Sequence, residues 1–145
     1  MSAVWQGVGD NLTENTRYTY DNKGNITEIR ENGLLVNKYT YDSLSRLIRE
    51  DNIPFNKTTK YSYDNGGNIT NVLVYDLTLD SLDTKLPTTA NVYGYNSNGW
   101  KDQLMSYNNK SFAYDNLGNP TIYKDNVLTW EYGRLLASYN ANTYS

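Results

Sequence analysis

The sequence predicts an all-β fold, an antiparallel meander of hairpins forming a curved sheet or open shell segment. Three observations carry that prediction. Pairs of aromatic residues two positions apart recur along the chain, an aspartate followed three residues later by a glycine comes after three of the six, and Asn-Gly-like reversals separate the copies. Residues two apart point to the same face of a strand. An aspartate that opens a type I turn accepts backbone N–H groups inside it, and a glycine at positive φ closes the hairpin through a bulge. The clearest copy is Tyr61-Ser62-Tyr63-Asp64-Asn65-Gly66-Gly67-Asn68-Ile69-Thr70.

Aligned on the aromatic before the turn, the copies fall at Tyr20, Tyr41, Tyr63, Tyr95, Tyr114 and Tyr132, separated by 21, 22, 32, 19 and 18 residues. Four similar intervals out of five make a period. Two residues before each stands Tyr18, Tyr39, Tyr61, Tyr93, Phe112 or Trp130. Side by side in one sheet, such pairs form ladders whose cross-strand contacts contribute ~0.2–1 kcal/mol each, so packing accounts for them better than ligand stacking does.

The first copy is complete, with Asp21 and Gly24, and its return strand reaches Asn32-Gly33, a strong two-residue hairpin signal. Each unit therefore needs two reversals, and the second kind recurs at Asn108-Asn109 and Asp125-Asn126. The second copy has Asp42 but carries Ser45 where glycine is expected, which implies mild strain or a different turn geometry. Pro54 and the polar Asn56-Lys57-Thr58-Thr59 lengthen the connection to the third copy, which has Asp64 and Gly67. The 32-residue interval implies roughly ten to twelve extra residues within about 75–90, the kind of insertion where a repeat protein grows function. Leu77, Leu79, Leu82 and Leu86 have partial helical spacing and suggest a lid or short helix capping the sheet. Asp76, Asp80 and Asp83 lack the alternation of a calcium loop. The fourth copy has Asn96 in place of aspartate, then Gly99 and Trp100; the fifth has Asp115 and Gly118; the sixth, Trp130-Glu131-Tyr132-Gly133, has lost its aspartate and shortened its turn. The organisation is therefore a lead-in strand at 1–17, repeats over 18–140, and the opening of a further, truncated repeat at 141–145.

Composition narrows function. Tyrosine supplies 15 of the 145 residues against two Phe and two Met, so the aromatic surface carries hydroxyls that need partners. The chain is large enough to bury a core if its strands pack face to face. Absence of Cys removes disulfides and thiolate–metal sites, and absence of His removes the commonest general base and metal ligand; no metal or cofactor is expected. Net charge is −3, and lysines and arginines are scattered without forming a run, which argues against nucleic-acid binding. No apolar stretch approaches the ~20 residues of a membrane-spanning helix, and the first residues lack the basic and apolar regions of a signal peptide.

The units resemble the YD repeat of the Rhs family: an aromatic, any residue, Tyr-Asp, two residues, Gly, then Asn or Arg and an aliphatic residue. Tyr61 to Ile69 and Tyr18 to Ile26 match throughout, and Phe112 to Asn119 matches until Pro120 takes the aliphatic place. The resemblance covers about residues 18 to 140. It implies β-shells of spiralling antiparallel hairpins, like those that enclose toxic C-terminal domains in bacterial polymorphic toxins and insecticidal toxin complexes, with teneurins similar. It also implies secretion or cell-surface display. An Asp-Pro-containing closing motif, associated in the family with self-cleavage, is absent, so autoproteolysis and toxicity are not expected to carry over.

The leading expectation is a non-catalytic structural segment that pairs through its sheet edges with further repeats, of a parent chain or of a second copy. A carbohydrate-binding module is the alternative, with Trp100, Tyr107 and Trp5 outside the repeat pairs as the stacking residues. An enzyme comes third, because the turn role of the repeated aspartates explains them and Glu14, Glu28, Glu31 and Glu50 show no spacing that separates an acid from a base. Gly67→Val is expected to cost on the order of 1 kcal/mol or more, and the same change at Ser45 less.

Overall fold

The computed structural model describes residues 2–6, 15–140 and 142–143, with side chains described for 15–140. Fourteen strands follow one another: β1 (Ser2–Gln6), β2 (Asn15–Tyr20), β3 (Ile26–Glu31), β4 (Leu34–Tyr41), β5 (Leu47–Asn52), β6 (Lys57–Tyr63), β7 (Ile69–Asp76), β8 (Thr89–Tyr95), β9 (Leu104–Tyr107), β10 (Lys110–Tyr114), β11 (Pro120–Tyr123), β12 (Asn126–Glu131), β13 (Leu135–Tyr139) and β14 (Asn142–Thr143). Strand order equals chain order, so the expected antiparallel meander is the observed one. Cα proximity divides the chain into a first unit, residues 1–62 and 72–90, and a second, residues 63–71 and 91–145.

Two kinds of reversal alternate. In the first unit Asn32 and Gly33 take φ of 50° and 82°, and in the second Asn108 and Asn109 take 47° and 64°, the paired positive values of a two-residue hairpin. The next reversal uses Lys124 and Asp125, at 50° and 67°, one residue earlier than expected. The reason is the register: Tyr123 pairs with Asn126, which places Asn126 on the strand.

At the aspartate corners a bulge falls immediately before the second aromatic, between Thr19 and Tyr20 and between Thr40 and Tyr41 in the first unit. The second unit repeats it at Gly94/Tyr95, Ala113/Tyr114 and Thr129/Trp130. The last bulge corrects the alignment of the sixth copy. Trp130 pairs with Leu136, six residues on, as Tyr20 pairs with Ile26 and Tyr41 with Leu47. Trp130 is thus the second aromatic of its repeat, Leu128 stands in the first aromatic's place, and Tyr132 moves out to the corner, with φ of 46° and 94% of its surface exposed.

The aromatic pairs do not form repeat-to-repeat ring ladders of the expected kind. A return strand lies between successive aromatic strands, which sets them two strand spacings, about 9.5 Å, apart. The first aromatic instead faces its own return strand: Tyr18 meets Ile29, Tyr39 meets Glu50, Tyr93 meets Tyr107 and Phe112 meets Tyr123. Ring contacts arise in the last two cases, at centroid distances of 5.0 and 5.2 Å. Most strand side chains are half-buried, and the buried apolar residues among those described are Tyr75 and Phe112.

The insertion contains no helix. Residues 77–88 form turns and bends, and Leu79 and Leu86 are 56% and 89% exposed, so the leucines do not act together as a cap. Local side chains outcompete helical bonding: Thr78 Oγ1 accepts the Asp80 N–H and Ser81 Oγ accepts the Asp83 N–H, each at 3.2 Å.

Candidate functional site

Each aspartate corner is assembled by the side chain that opens it. Asp21 Oδ1 accepts the N–H groups of Lys23 and Asn25 at 2.9 Å, and its Oδ2 accepts Asn25 Nδ2 at 2.8 Å. The main chain adds Gly24 N–H to Asp21 O at 3.2 Å and Asp21 N–H to Asn25 O at 2.9 Å. Asp64 repeats the side-chain pattern with Gly66 and Asn68, and Asp115 with Leu117 and Asn119. At Asp42 the residue four positions on is Arg46, whose Nε lies 2.7 Å from Oδ2. These bonds hold the carboxyls below the usual aspartate range. The asparagine amide is the largest cause at Asp21, Asp64 and Asp115, and the Arg46 backbone N–H is the largest at Asp42.

Ser45 has φ of 62°, in the same left-handed region as Gly24 at 86°, Gly67 at 95° and Gly118 at 84°. Its N–H bonds Asp42 O at 3.1 Å as the glycines bond their aspartates, so the serine corner keeps the common geometry. The fourth corner is larger. Asn96 Oδ1 accepts only the Asn98 N–H among the turn amides, and the Asn96 N–H reaches Gln103 O, seven residues on, at 3.0 Å; Gly99, at φ 77°, and Trp100 lie in the added length.

The repeats are joined by two further kinds of bond. In the first unit Tyr41 Oη donates to Ile26 O at 2.9 Å. In the second, Tyr95 Oη donates to Ile69 O at 3.0 Å and Trp130 Nε1 to Pro120 O at 2.7 Å. Each acceptor is the first residue of the preceding repeat's return strand. The second aromatic is therefore a latch that reaches back one repeat. The corner asparagine reaches forward: Asn25 Nδ2 to Ser45 Oγ at 3.2 Å, Asn68 Nδ2 to Lys101 O at 3.4 Å, and Asn119 Nδ2 to Gly133 O at 2.6 Å. Burial pushes the phenols of Tyr41 and Tyr95 up, and the carboxylates of Asp21 and Asp64 in the preceding corners add to it. The sequence signal for the forward link was the asparagine four residues after Asp21, Asp64 and Asp115.

At the opposite strand ends, Asn32, Asn108, Asp125 and Asn140 each lie in a reversal and grip a strand two places away. Their backbone N–H groups donate to the carbonyls of Asn15, Val92, Ser111 and Val127, and their Oδ1 atoms accept the N–H groups of those same residues at 2.7–3.2 Å.

Two of the three expected stacking residues can be placed, and they have different surroundings. Trp100 is 67% exposed on the fourth corner. Tyr107 is engaged in packing, with Oη 2.8 Å from Asn91 Oδ1 and its ring against Tyr93. The Trp5 side chain lies outside the described residues. A cleft of about 610 Å³ opens in the second unit between Asp64, Asn65, Asn68, Tyr93, Tyr95 and Lys101, and neither Trp100 nor Tyr107 lines it. Among the described residues no group of three Asp or Glu side chains is placed to hold a metal ion. The corner carboxylates, ionised and occupied by turn donors, are poorly suited to act as general acids.

A buried polar cluster fixes the insertion to the first unit. Thr58 is fully buried and Asp51 is 2% exposed. The Thr58 hydroxyl lies 2.8 Å from Asp51 Oδ1 and 3.1 Å from Thr78 O, and accepts the Thr78 N–H at 3.1 Å. Arg49 Nε meets Asp51 Oδ1 at 2.8 Å, and its two terminal nitrogens donate to Asp80 O and Thr78 O. Each group is satisfied, which is what burial of a charge requires.

Comparison with curated proteins finds none that matches. The model of the Teneurin YD-shell family matches residues 8–134, from before the first corner to the last latch and the turn that follows it. A YD-shell is a structural domain whose relatives are extracellular or displayed at the cell surface, and no helix here is long and apolar enough to cross a membrane among the described residues. With the match extending over most of its length and the corner chemistry recurring copy by copy, this chain belongs to the Teneurin YD-shell family as a YD-repeat shell segment.

Proposed function

We propose that the chain is a non-catalytic wall segment of a secreted or surface-displayed Rhs-type protein, contributing hairpins to a β-shell that encloses or presents an effector and joining further repeats through strand edges. One observation supports this most directly: each described latch and forward link joins one repeat to its neighbour, so the side chains that recur from copy to copy serve assembly rather than a reaction. Among the described residues strands β1 and β14 each have one neighbour in the sheet order, and an unpaired strand side is a template for strand addition. Sedimentation velocity over a range of concentrations tests the edge association. Concentration-dependent oligomers are expected, lost when Val4→Pro and Thr143→Pro remove edge donors; a strict monomer at high concentration would overturn it.

Carbohydrate binding is the second reading, favoured by the exposed Trp100 and the asparagine- and tyrosine-lined cleft of the second unit. Glycan-array binding lost on Trp100→Ala, with circular dichroism unchanged, would place it ahead of the wall.

A further inference from the structure

The register of the first unit sorts its charges by face. Arg17 pairs with Arg30, Glu28 with Lys38, Lys38 with Asp51, Thr40 with Arg49, and Arg49 with Lys60. Directly opposed residues of an antiparallel pair share a face, as do alternate residues of one strand. Arg17, Arg30, Lys38, Arg49 and Lys60 therefore lie on one face, with Glu28 and Asp51 as its carboxylates, while Tyr18, Tyr39, Glu50 and Tyr61 lie on the other. Five cations against two anions make this face basic in a chain whose net charge is −3. In the sequence the five are 8 to 13 residues apart, which is why no run of basic residues is visible.

Both carboxylates are already engaged by an arginine two residues away, Glu28 by Arg30 at 3.1 Å and Asp51 by Arg49 at 2.8 Å. Arg17, Lys38 and Lys60 have no ion-pair partner among the described residues. Arg17 and Lys60 are exposed and Lys38 half-buried. One end of the face is occupied by a polypeptide. The insertion lays Thr78 and Asp80 carbonyls on Arg49, and Ser81, Leu82 and Asp83 line a cleft of about 200 Å³ with Arg49 and Lys60. That segment carries Asp76, Asp80 and Asp83 against Lys85 and is acidic.

We propose that the part of this face away from the insertion, centred on Arg17, Arg30 and Lys38, docks an acidic, extended polypeptide segment. The complementarity is twofold. The net charge attracts an anion, and the guanidinium groups of this face bond carboxylates and peptide carbonyls wherever the structure shows their partners. The face takes an acidic stretch of its own chain at one end, and the remaining cations offer the same chemistry to a stretch from outside.

The test uses the full chain and a fluorescently labelled hexaglutamate peptide, with anisotropy read at low salt. Saturable binding is expected, weakened at least tenfold by Arg17→Glu with Lys38→Glu and to a smaller degree by the neutral pair Arg17→Gln with Lys38→Gln. Binding is expected to be unchanged by Lys101→Glu with Arg134→Glu in the second unit, and absent for hexaglutamine. Raising salt to 1 M should abolish it, since the contacts are exposed. No saturable binding, binding undiminished in both folded Arg17/Lys38 variants, or an oligonucleotide of equal charge binding as tightly would each overturn the proposal.

Discussion

Replacing Tyr41 by phenylalanine isolates the latch. The ring stays, its packing stays, and the 2.9 Å hydrogen bond from Oη to Ile26 O is deleted. A net intramolecular hydrogen bond contributes about 0.5–1.5 kcal/mol. Ile26 is half-buried, so water can partly replace the lost donor, and the expected cost is about 0.5–1 kcal/mol. With a urea m-value of about 2 kcal/mol/M the midpoint should fall by about 0.3–0.5 M at unchanged slope. Alkaline titration gives an independent reading. Burial and the Asp21 carboxylate raise the folded-state pKa of Tyr41, so its contribution is complete below the unfolded tyrosine value of about 10 and is lost as pH rises through the higher folded value. Tyr41→Phe should remove that share of the alkaline loss. Tyr132→Phe is the control, since its side chain is 94% exposed and it should change nothing. A Tyr41→Phe chain indistinguishable from the Tyr132→Phe chain in both measurements would refute the latch.

Other outcomes follow from the corners and the insertion. Gly67→Val and Ser45→Val should each lower stability by on the order of 1 kcal/mol or more in chemical denaturation, because both positions hold positive φ; a harmless Ser45→Val would contradict the shared geometry. The depressed carboxyls of Asp21, Asp42, Asp64 and Asp115 contribute stability that is present above the unfolded aspartate value of about 3.9 and lost as pH falls through their lower folded values, so denaturation midpoints should drop below about pH 4 while carboxyl NMR titrations lag behind. Thr58→Val should leave Asp51 with Arg49 alone and the Thr78 N–H without its hydroxyl acceptor, and cost about 1–3 kcal/mol, with faster trypsin cleavage after Lys85 as the local readout.

Much of the wall was legible because two short-range signals agree at three of the six copies. A Tyr-x-Tyr spacing fixes a strand face, and Asp-x-x-Gly fixes a corner, so the strands on either side of Asp21, Asp64 and Asp115 follow directly. Where one signal fails the reading slips. The sixth copy has no aspartate to mark its corner, and its bulge, which no single residue type encodes, moves Trp130 from the first aromatic place to the second. The leucine spacing of the insertion points to a lid or short helix because it ignores Thr78 and Ser81, whose hydroxyls bond the backbone N–H two residues on. The forward role of Asn25, Asn68 and Asn119 needs the next repeat in place before it has meaning. The basic face needs the strand register, since Arg17, Lys38 and Lys60 come together only across several hairpins. For the stacking residues, sequence could find exposure at Trp100 but not the absence of a shared cleft with Tyr107.

With Tyr75 and Phe112 as the buried apolar residues among those described, unfolding uncovers comparatively little oily surface. The heat-capacity increment should then lie below the usual ~12–15 cal/mol/K per residue, giving a shallow stability curve across temperature. A sheet held by polar corners would thus lose strength slowly on warming and resist cold unfolding, properties suited to a casing more than to a machine.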